Sequence, residues 1–523
     1  MTRAVTIFRS IESYAKRPVE FESAAMNLSL ILQMAADTDP DRIGLVSDGK
    51  RWSYGALFAA AKGAALAFRD SRCTHVALLD ESSEASAIAL FGAALAGIPY
   101  VPLNYRLADA DLAALLDRIT PAYIIGDVAR VAKLRPDGGH TACTRASFVE
   151  DVERLAPGAA DMEAADASIA VQIFTSGTTA APKAAVLRHS NLLSYILGTV
   201  EFACASEDEA ALVSVPPYHI AGIAALMSSI YAMRRIVLLP SFEPDAWLKL
   251  AAAEHVTSAF VVPTMLSRII GRMDAGVKAD LSSLKAVAYG GGRMPLELIH
   301  RALDLFPETN FTNAYGLTET SSTIALLGPD EHRAAHKSSD PDIHARLGSV
   351  GIPLPTVEVE IRDPEGRRLP AGERGEIYVR GEQVSGEYKE RSALDAEGWF
   401  PTRDAGYIDA EGYLFLAGRA DDVIVRGGEN ISPGEIEDVL TAHPAIADCA
   451  AVAVPSVEWG EAVGIAIVAR PGHTLPCDDD LRALIKDRLR SSRVPERIVV
   501  ADALPYNEMG KLLRREIKNL FKA

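Results

Sequence analysis

The hydrophobic pattern between about residues 29 and 349 alternates short apolar runs with longer Ala- and Leu-rich stretches of helical period. Examples of the short runs begin at His75, Arg235, Ala259 and Lys285. Short apolar strands that alternate with longer helical segments are typical of βαβ units. The pattern therefore predicts mostly parallel sheets with helices packed against their faces.

The pattern changes near residue 357. Segments that begin at Val357, Gly375 and Gly412 alternate apolar and polar residues and are separated by turns that contain glycine. This alternation predicts an antiparallel barrel or meander. After Arg419 follows a charged tail of roughly 100 residues, long enough for a small domain of its own. Helical patterns cover residues 433–442 and 478–491 of this tail, between short strands.

Composition and charge exclude several classes of protein. Of the 523 residues, 49% are hydrophobic and 24% are charged, which is close to the globular average and argues against disorder, collagen and coiled coil. The 70 acidic and 53 basic residues leave a formal charge of −17, which repels nucleic acid and acidic membranes. We therefore expect no nucleic-acid partner. An anionic nucleotide would need local cations, backbone N–H groups or a divalent metal.

The cysteines and the uncharged stretches bear on location. Five widely scattered cysteines without a Cys-x-x-Cys pair support neither a disulfide framework nor a zinc knuckle, which fits a reducing cytoplasm. The first residues lack the features of a secretory signal. Residues 85–105 and 210–233 reach membrane-spanning length, but both contain prolines. We expect both stretches to be buried core, with no integral membrane contact and a cytoplasmic location.

The segment Phe174-Thr-Ser-Gly-Thr-Thr-Ala-Ala-Pro-Lys183 follows the apolar run 169–173. Four hydroxyls and a flexible glycine between a strand and a lysine suit a loop that wraps polyphosphate. It is not a Walker loop, because Gly-x-x-x-x-Gly-Lys-[Ser/Thr] is absent. By itself such a run is more often a solvated loop.

A second segment, Asn313-Ala-Tyr-Gly-Leu-Thr-Glu-Thr320, places an aromatic ring beside a hydroxyl and a carboxylate. Such a group could stack a base and hold a hard cation. Taken alone, the segment is equally well a helix N-terminus.

Together with four later motifs, these two segments resemble the adenylate-forming superfamily, which includes acyl-CoA synthetases, aryl-CoA ligases, luciferase and peptide-synthetase adenylation domains. The resemblance is closest to its acyl-CoA ligase branch and extends from about residue 30 to the C-terminus. The four later motifs are Trp399-Phe-Pro-Thr-Arg-Asp404, Gly418-Arg-Ala-Asp-Asp422, Arg426-Gly-Gly-Glu-Asn-Ile-Ser-Pro-Gly-Glu-Ile-Glu437 and Gly510-Lys511.

The resemblance implies an α/β fold with a large N-terminal domain, residues 1–419, of two doubly wound subdomains and a distorted β-barrel at about 345–417. Residues 420–523 would form a small, mobile α+β domain. The implied activity is that of an ATP-dependent acid–CoA ligase that uses Mg²⁺. It would activate a fatty, alicyclic or aryl acid as acyl-AMP and pass the acyl group to coenzyme A, which for a fatty acid would belong to lipid metabolism. A homodimer is compatible with the resemblance.

By similarity, ATP would be bound by residues of several motifs: Thr175, Ser176, Gly177, Thr178, Thr179, Lys183, Gly290, Gly291, Gly292, Tyr315, Gly316, Thr318, Asp404, Arg419 and Lys511. Tyr315 would bracket the adenine, Asp404 would bind the ribose and Glu319 would hold Mg²⁺. Lys511 would bridge the carboxylate and the α-phosphate.

Four further residues would act beside the nucleotide. His219 would gate the acyl pocket, Asp421 would be the hinge, Gly428 would serve thioester formation, and Trp459 would lie near the CoA nucleotide. These roles come from the resemblance alone.

Some positions depart from the family pattern. Ala180 and Ala184 stand where glycine is usual, which would stiffen the loop and weaken ATP binding. Arg403 replaces the usual glycine before Asp404, and residues 507–509 replace a Ser/Thr-rich approach to Lys511. We expect these departures to affect the rate of the reaction more than its type.

Alternatives stay open at this stage. The acyl group could go to a carrier-protein thiol, or the chain could be a catalytically weak nucleotide or acyl binder.

The segment around His332 and His336 lacks the His-Glu-x-x-His pattern, and we expect a polar surface loop there. Residues 218–226 include small apolar residues and no carboxylate that could pair with an α-ammonium group. Amino acids are therefore disfavoured as substrates, and an acid with a hydrophobic tail is favoured. The chain length of the acid is left open.

Overall fold

The structure is a computed structural model. It describes residues 27–135, 138–159, 163–165, 168–175, 182–419, 422–426, 429–506 and 512–522. Within these ranges, the α-helices are α1 Ser29–Thr38, α2 Tyr54–Ser71, α3 Glu84–Ala96, α4 Asp109–Asp117, α5 Val128–Leu134, α6 Arg145–Leu155, α7 His189–Thr199, α8 Ile220–Tyr231, α9 Pro244–Ala253, α10 Pro263–Asp274, α11 Leu296–Leu305, α12 Pro329–Lys337, α13 Pro341–Ala345, α14 Pro433–Thr441, α15 Asp478–Arg488 and α16 Arg514–Asn519.

The β-strands of the described ranges are β1 Ile43–Ser47, β2 Lys50–Ser53, β3 His75–Leu79, β4 Tyr100–Pro102, β5 Ala122–Gly126, β6 His140–Cys143, β7 Ile169–Thr175, β8 Lys183–Arg188, β9 Ala210–Val213, β10 Arg235–Leu238, β11 Ser258–Val261, β12 Ala286–Gly290, β13 Asn310–Leu317, β14 Ser322–Leu327, β15 Ile352–Pro353, β16 Glu358–Arg362, β17 Gly375–Arg380, β18 Glu387–Tyr388, β19 Arg391–Ser392, β20 Phe400–Ile408, β21 Leu414–Arg419, β22 Ile424–Arg426, β23 Glu429–Ile431, β24 Ile446–Ser456, β25 Gly460–Ala469 and β26 Arg497–Val500.

Two large, mostly parallel sheets form the first part of the fold. In the described part of the chain one sheet has nine strands in the order β15-β14-β13-β12-β11-β9-β10-β1-β2, and the other has eight in the order β19-β18-β8-β7-β4-β3-β5-β6. One hydrophobic core, from Leu28 to Leu238, takes residues from both sheets and from α1, α2, α3, α7 and α8. The predicted βαβ architecture is confirmed.

Helix α3 is buried on all sides, because its residues are apolar around the whole circumference. It ends at Gly97, whose φ of +76° is the left-handed conformation that favours glycine at a helix C-terminus. The uncharged stretch 85–105 therefore belongs to α3 and β4, and the stretch 210–233 to β9 and α8. Among the described residues, no helix has both the length and the apolar character needed to cross a membrane.

Strands β16, β17, β20 and β21 form an antiparallel sheet in that order, in the region where alternation predicted a barrel or meander. Its core packs Ile377, Phe400 and Leu414 against Ile324 of the nine-stranded sheet. This contact fixes the position of β20 and β21 relative to the end of β13.

The C-terminal part is a separate small sheet with its own core. Strands β22 to β26 carry α14 and α15 on one face, around residues such as Ile436, Ile465 and Ile485. The other face packs against Phe521 and Ile517 at the end of the chain. The fold is thus a large N-terminal α/β domain followed by a small C-terminal domain, as the sequence predicted.

The expectation of a polar surface loop around His332 was wrong. The segment is α12, which begins with Pro329 at its first position, and the side chain of His332 is completely buried. One ring nitrogen lies 2.8 Å from the Tyr289 hydroxyl and the other lies 2.6 Å from the Gly328 carbonyl oxygen. Both ring nitrogens are occupied by hydrogen bonds, so His332 is a core residue.

We expect His332 to make the large domain sensitive to acid. Burial lowers the pKa of this imidazole to about 4, whereas the unfolded chain takes up the proton near the ordinary value of 6.5. The unfolded state therefore binds more protons, and stability falls as the pH drops below about 6.5. Between pH 7.5 and 5 the loss due to His332 is about 2 kcal/mol. In His332→Gln, the free energy of unfolding should therefore fall less than in wild type between these pH values, by that amount. Urea unfolding monitored by tryptophan fluorescence measures the difference.

The exposed His473 provides the control for this comparison, and His473→Gln should keep the wild-type pH dependence. An unchanged pH dependence in His332→Gln would contradict the prediction.

Candidate active site

The nine-stranded sheet brings several predicted site residues to one edge. Strands β9, β11, β12 and β13 run parallel to one another, so their carboxyl ends meet at the same edge. His219 follows β9, Gly290 ends β12, and Tyr315 lies near the end of β13. Thr318 and Glu319 lie on the short helical turn directly after β13. Ligand sites in open α/β sheets lie at such an edge.

Two glycines at this edge are required by close backbone approaches. Gly290 pairs with Ala314, and a Cβ at residue 290 would overlap the Ala314 carbonyl oxygen. A Cβ at Gly316 would likewise overlap the carbonyl oxygen of Ser322. Gly291, at the turn after β12, has a φ of +77°. Gly290 is thus required by a close backbone approach and Gly291 by its left-handed conformation, and the nucleotide-binding role of this segment stays a prediction.

Tyr315, Asp404 and Arg419 form one cluster. The Tyr315 hydroxyl donates a hydrogen bond of 2.6 Å to Asp404, and Nε of Arg419 lies 3.1 Å from the other carboxylate oxygen. Asp404 and Arg419 are opposite each other in the pairing of β20 and β21. Burial and the Asp404 charge hold the pKa of Tyr315 well above its usual range, so the phenol stays a donor. The cluster offers a ring face and a fixed carboxylate side by side.

Arg403 occupies a backbone conformation that favours glycine. Its φ is +63°, and its N–H donates to the Glu376 carboxylate at 3.2 Å. The left-handed conformation costs a residue other than glycine about 1–2 kcal/mol. The departure from glycine at this position therefore introduces strain directly before Asp404.

Replacing Arg403 with glycine should raise stability by about 0.5–1 kcal/mol, because relief of the strain exceeds the entropy cost of glycine in the unfolded chain. The ion pair with Glu376, at 3.8 Å from a largely exposed guanidinium, contributes little. Arg403→Val should instead destabilise, since a branched side chain is least tolerated there. Thermal unfolding of the two variants checks the prediction. Equal midpoints would contradict it.

The predicted phosphate loop closes the hairpin of β7 and β8. Thr175 pairs with Lys183 at its base, and the Thr175 hydroxyl donates to the Lys183 carbonyl oxygen at 3.5 Å. Residues 176–181, which include Ser176, Gly177, Thr178, Thr179 and Ala180, lie outside the described residues. Ala184 is a buried residue of the regular strand β8, so its methyl group fits where glycine was expected.

Glu319 is a buried carboxylate suited to a cation. The Tyr388 hydroxyl donates a hydrogen bond of 2.7 Å to its Oε1. Among the residues that the structure describes, no cationic side chain forms an ion pair with Glu319. A buried carboxylate ordinarily requires such a partner or a metal. Mg²⁺ prefers oxygen ligands and is usually bound through one or two carboxylates together with substrate phosphates, so a single carboxylate at this position fits the ion.

His219 is neutral at physiological pH. Burial, together with the Arg106 charge, lowers the pKa of its imidazole to about 4. Its ring lies 4.5 Å from the Tyr218 ring, and its Nε2 is buried without a hydrogen-bond partner among the described residues. A cavity of about 20 Å³ lies beside α8 and is lined mostly by apolar residues such as Pro217, Gly222 and Leu226, together with Ser82 and Ser86. His219 directly precedes the apolar helix α8, and its role as a gate stays a prediction.

The remaining predicted residues belong to the C-terminal domain. Trp459 lies at the turn between β24 and β25, half exposed, with the Arg426 guanidinium 5.3 Å from its ring. Asp421, Gly428, Lys511 and the approach 507–509 lie outside the described residues. The two domains contact each other through an ion pair of 2.5 Å between Arg293 and Asp438. The roles of these residues in catalysis stay predictions.

Sequence reasoning missed one residue of the site. Tyr388 contacts Glu319 and lies under the Lys183 ammonium group, 5.5 Å from the ring centroid. It belongs to a strand of two residues, too short for any periodic signal. Tyr388 could have been found only from the pairing of β18 with β8, which the sequence pattern does not reveal.

Comparison with known proteins gives the family. Residues 32–389 match the family model of AMP-binding enzymes, and residues 435–511 match that of the AMP-binding enzyme C-terminal domain. The fatty acid–[acyl-carrier-protein] ligase ScoC of Streptomyces coeruleorubidus is 32% identical, over 93% of this chain and 95% of that protein. Feruloyl-CoA synthase of an Amycolatopsis species is also 32% identical, over 86% of this chain and 89% of that protein.

Solved structures agree with these matches. The o-succinylbenzoate-CoA synthetase of Bacillus subtilis, in complex with its acyl-adenylate intermediate, is 28% identical, with a TM-score of 0.78 over 93% of this chain and 97% of that one. The same enzyme in complex with ATP and magnesium ion has a TM-score of 0.76 at 27% identity, over 93% of this chain and 99% of that one.

This chain belongs to the family of AMP-binding, adenylate-forming enzymes. The prediction of an ATP-dependent, AMP-forming acid–thiol ligase is confirmed by membership of this family. Use of ATP and magnesium is likewise supported by the structures of its relatives.

Proposed function

We propose that this enzyme activates a hydrophobic carboxylic acid and transfers it to coenzyme A through the residues named above. The observation that carries the proposal is the segment 315–319. It holds Tyr315 against Asp404 and, one turn later, the buried carboxylate of Glu319. One strand end thus brings together the two groups that are proposed to meet adenosine and the cation that accompanies its phosphates.

In the first half-reaction an oxygen of the acid attacks the α-phosphorus of ATP, and the bond to pyrophosphate breaks with its electrons leaving on pyrophosphate. Both reactants are anionic, so the barrier falls mainly through positioning and charge neutralisation. Lys511 and Lys183 supply positive charge, and Asp404 fixes the ribose. Glu319 would hold Mg²⁺, which would supply neutralisation of the phosphate charge.

In the second half-reaction the sulfur of CoA, after losing its proton, attacks the acyl carbon and AMP leaves. The acceptor then needs the space that Lys511 occupies in the first step. A domain boundary near residue 420, with Asp421 as its pivot, lets the C-terminal domain rotate and bring Gly428 to the acyl group. Trp459, exposed on that domain, is available to the CoA nucleotide.

The acid is proposed to be fatty, alicyclic or aryl. Support comes from the neutral His219 and from the small apolar residues of α8 that follow it, beside which a charged substituent would lose its hydration. The names of two relatives, one a feruloyl-CoA synthase and the other a fatty acid ligase, fall within the same range.

Hydroxylamine trapping with a panel of such acids tests the proposal. With ATP and Mg²⁺, an acid that is a substrate should yield hydroxamate without CoA, and addition of CoA should divert the product to thioester. If no acid of the panel releases pyrophosphate, the chain is a binder and the proposal fails.

A carrier-protein acceptor is the second candidate, and the similarity to ScoC favours it. The same assay with a phosphopantetheine-loaded carrier protein in place of CoA separates the two. Thioester formed on the carrier protein and not on CoA would establish the second candidate.

A further inference from the structure

We infer that Tyr388 is a positioning residue that sets the Glu319 carboxylate for the divalent cation. The inference rests on the proposed function, because Glu319 is a metal ligand only if the enzyme uses a metal–nucleotide complex. No motif in the sequence points to Tyr388, and its placement depends on a strand pairing distant in sequence.

The hydrogen bond between the two side chains is directed and charge-assisted. The Tyr388 hydroxyl donates to Oε1 of Glu319 at 2.7 Å. A tyrosine hydroxyl is protonated at neutral pH and can donate this hydrogen bond. One carboxylate oxygen is thereby fixed. Hydrogen bonds to ligating carboxylates orient them and typically account for 10- to 100-fold in metal affinity or activity.

The backbone beside Tyr388 holds the same residue from a second direction. The N–H groups of Ser385 and Gly386 both donate to the carbonyl oxygen of Glu319, at 2.8 and 3.2 Å. The segment 385–388 therefore contacts Glu319 through both its main chain and its side chain. With the backbone held in place, the Tyr388 hydroxyl has to fix only the rotation of the carboxylate.

Strand β18 ties this segment to the strand that follows the phosphate loop. Tyr388 is opposite Ala185, and Glu387 forms two hydrogen bonds, of 2.8 and 2.9 Å, to the Arg188 guanidinium on β8. Lys183 is two residues before Ala185 and so points to the same face of the sheet as Tyr388. Its ammonium group accordingly reaches the Tyr388 ring, at 5.5 Å from the centroid.

The ring of Tyr388 thus lies between the two charges that meet the polyphosphate. One charge is the Lys183 ammonium over the ring, and the other is the Glu319 carboxylate at the hydroxyl. Tyr388→Phe keeps the ring and its contact with Lys183 but removes the only side-chain donor that the described residues direct at Oε1. The variant therefore isolates the effect on Glu319.

Binding of Mn²⁺ in the presence of a non-hydrolysable ATP analogue, measured by electron paramagnetic resonance, is the primary test. Tyr388→Phe should weaken Mn²⁺ binding about 10-fold, while affinity for AMP without metal stays within twofold of wild type. The Mg²⁺ concentration for half-maximal, acid-dependent pyrophosphate release should rise by the same factor. At saturating Mg²⁺ the rate should recover to within a few-fold of wild type.

Tyr378→Phe is the matched control, since Tyr378 is also partly buried on a strand and has a cation, the Arg362 guanidinium, 4.6 Å from its ring. It should behave as wild type. Glu387→Gln, which loosens β18 from β8 but keeps the phenol, should raise the Mn²⁺ dissociation constant about threefold and serves if Tyr388→Phe does not fold.

Wild-type Mn²⁺ affinity in a folded Tyr388→Phe would overturn the inference and leave the proposed function intact. An equal weakening of Mn²⁺ and AMP binding would also overturn it, because it would show general loosening of the site. Failure of the proposed function is seen separately, as absence of acid-dependent pyrophosphate release by the wild-type enzyme.

Discussion

Replacing Lys511 with alanine is expected to slow acyl-adenylate formation by about 100- to 1,000-fold, the usual cost of losing one preorganised group that meets transition-state charge. The carboxylate and the α-phosphate repel each other, and the proposed role of Lys511 is to bridge them. Conversion of synthetic acyl-adenylate and CoA to thioester should stay near the wild-type rate, because that step has no such repulsion. Separate assays of the two half-reactions provide the measurement.

The control for this variant is Lys518→Ala, which removes a cation from the same basic end of the chain, on α16. It should leave both half-reactions unchanged. If Lys511→Ala loses both half-reactions equally, Lys511 is not specific to adenylation and the proposed division of labour is wrong.

Replacing Asp404 with alanine is expected to raise the KM for ATP about 10- to 100-fold. The substitution removes the proposed ribose contact, and hydrogen bonds to a charged group contribute about 1.5–3 kcal/mol. It also leaves the Tyr315 hydroxyl and the Arg419 guanidinium without their shared partner, so the ring that is proposed to bracket the adenine loses its anchor. Pyrophosphate release as a function of ATP concentration measures the change.

Glu365→Ala is the matched control, since it removes a carboxylate that is also paired with an arginine, Arg367 at 3.0 Å, but at the exposed surface. Its KM for ATP should equal that of wild type. A wild-type KM in Asp404→Ala would show that the cluster of Tyr315, Asp404 and Arg419 is structural and that the nucleoside binds elsewhere.

The architecture could be predicted because its signals are local. Runs such as the one that begins at His75 became strands β3, β10, β11 and β12, since four or five consecutive apolar residues can be buried only in the middle of a covered sheet. His332 was mispredicted although its helix carries a local start signal, Pro329 with Asp330 and Glu331 in the first turn. Its burial depends on the Tyr289 hydroxyl, 43 residues away, which no local pattern indicates.

The candidate site was predicted through motifs, and the structure brings some of those motif residues together. Tyr315 and Asp404, which belong to two different motifs, meet across 89 residues, and their roles toward a nucleoside stay predictions. Tyr388 could not be found in this way, because its position follows from pairing of β18 with β8 and from the backbone contacts of Ser385 and Gly386. Such pairings are determined by the tertiary structure, and a segment of two residues is too short to show a hydrophobic period.

The pairing of β18 with β8 also has a consequence for synthesis of the protein on the ribosome. Arg188 and its partner Glu387 are 199 residues apart. At translation rates of about 5–20 residues per second, β8 emerges roughly 10–40 s before the strand that will cover it. During that time it lacks its neighbour, and an uncovered strand edge can pair with another chain. The nascent chain is therefore exposed to aggregation through this edge during the interval, and slower growth at low temperature would lengthen it.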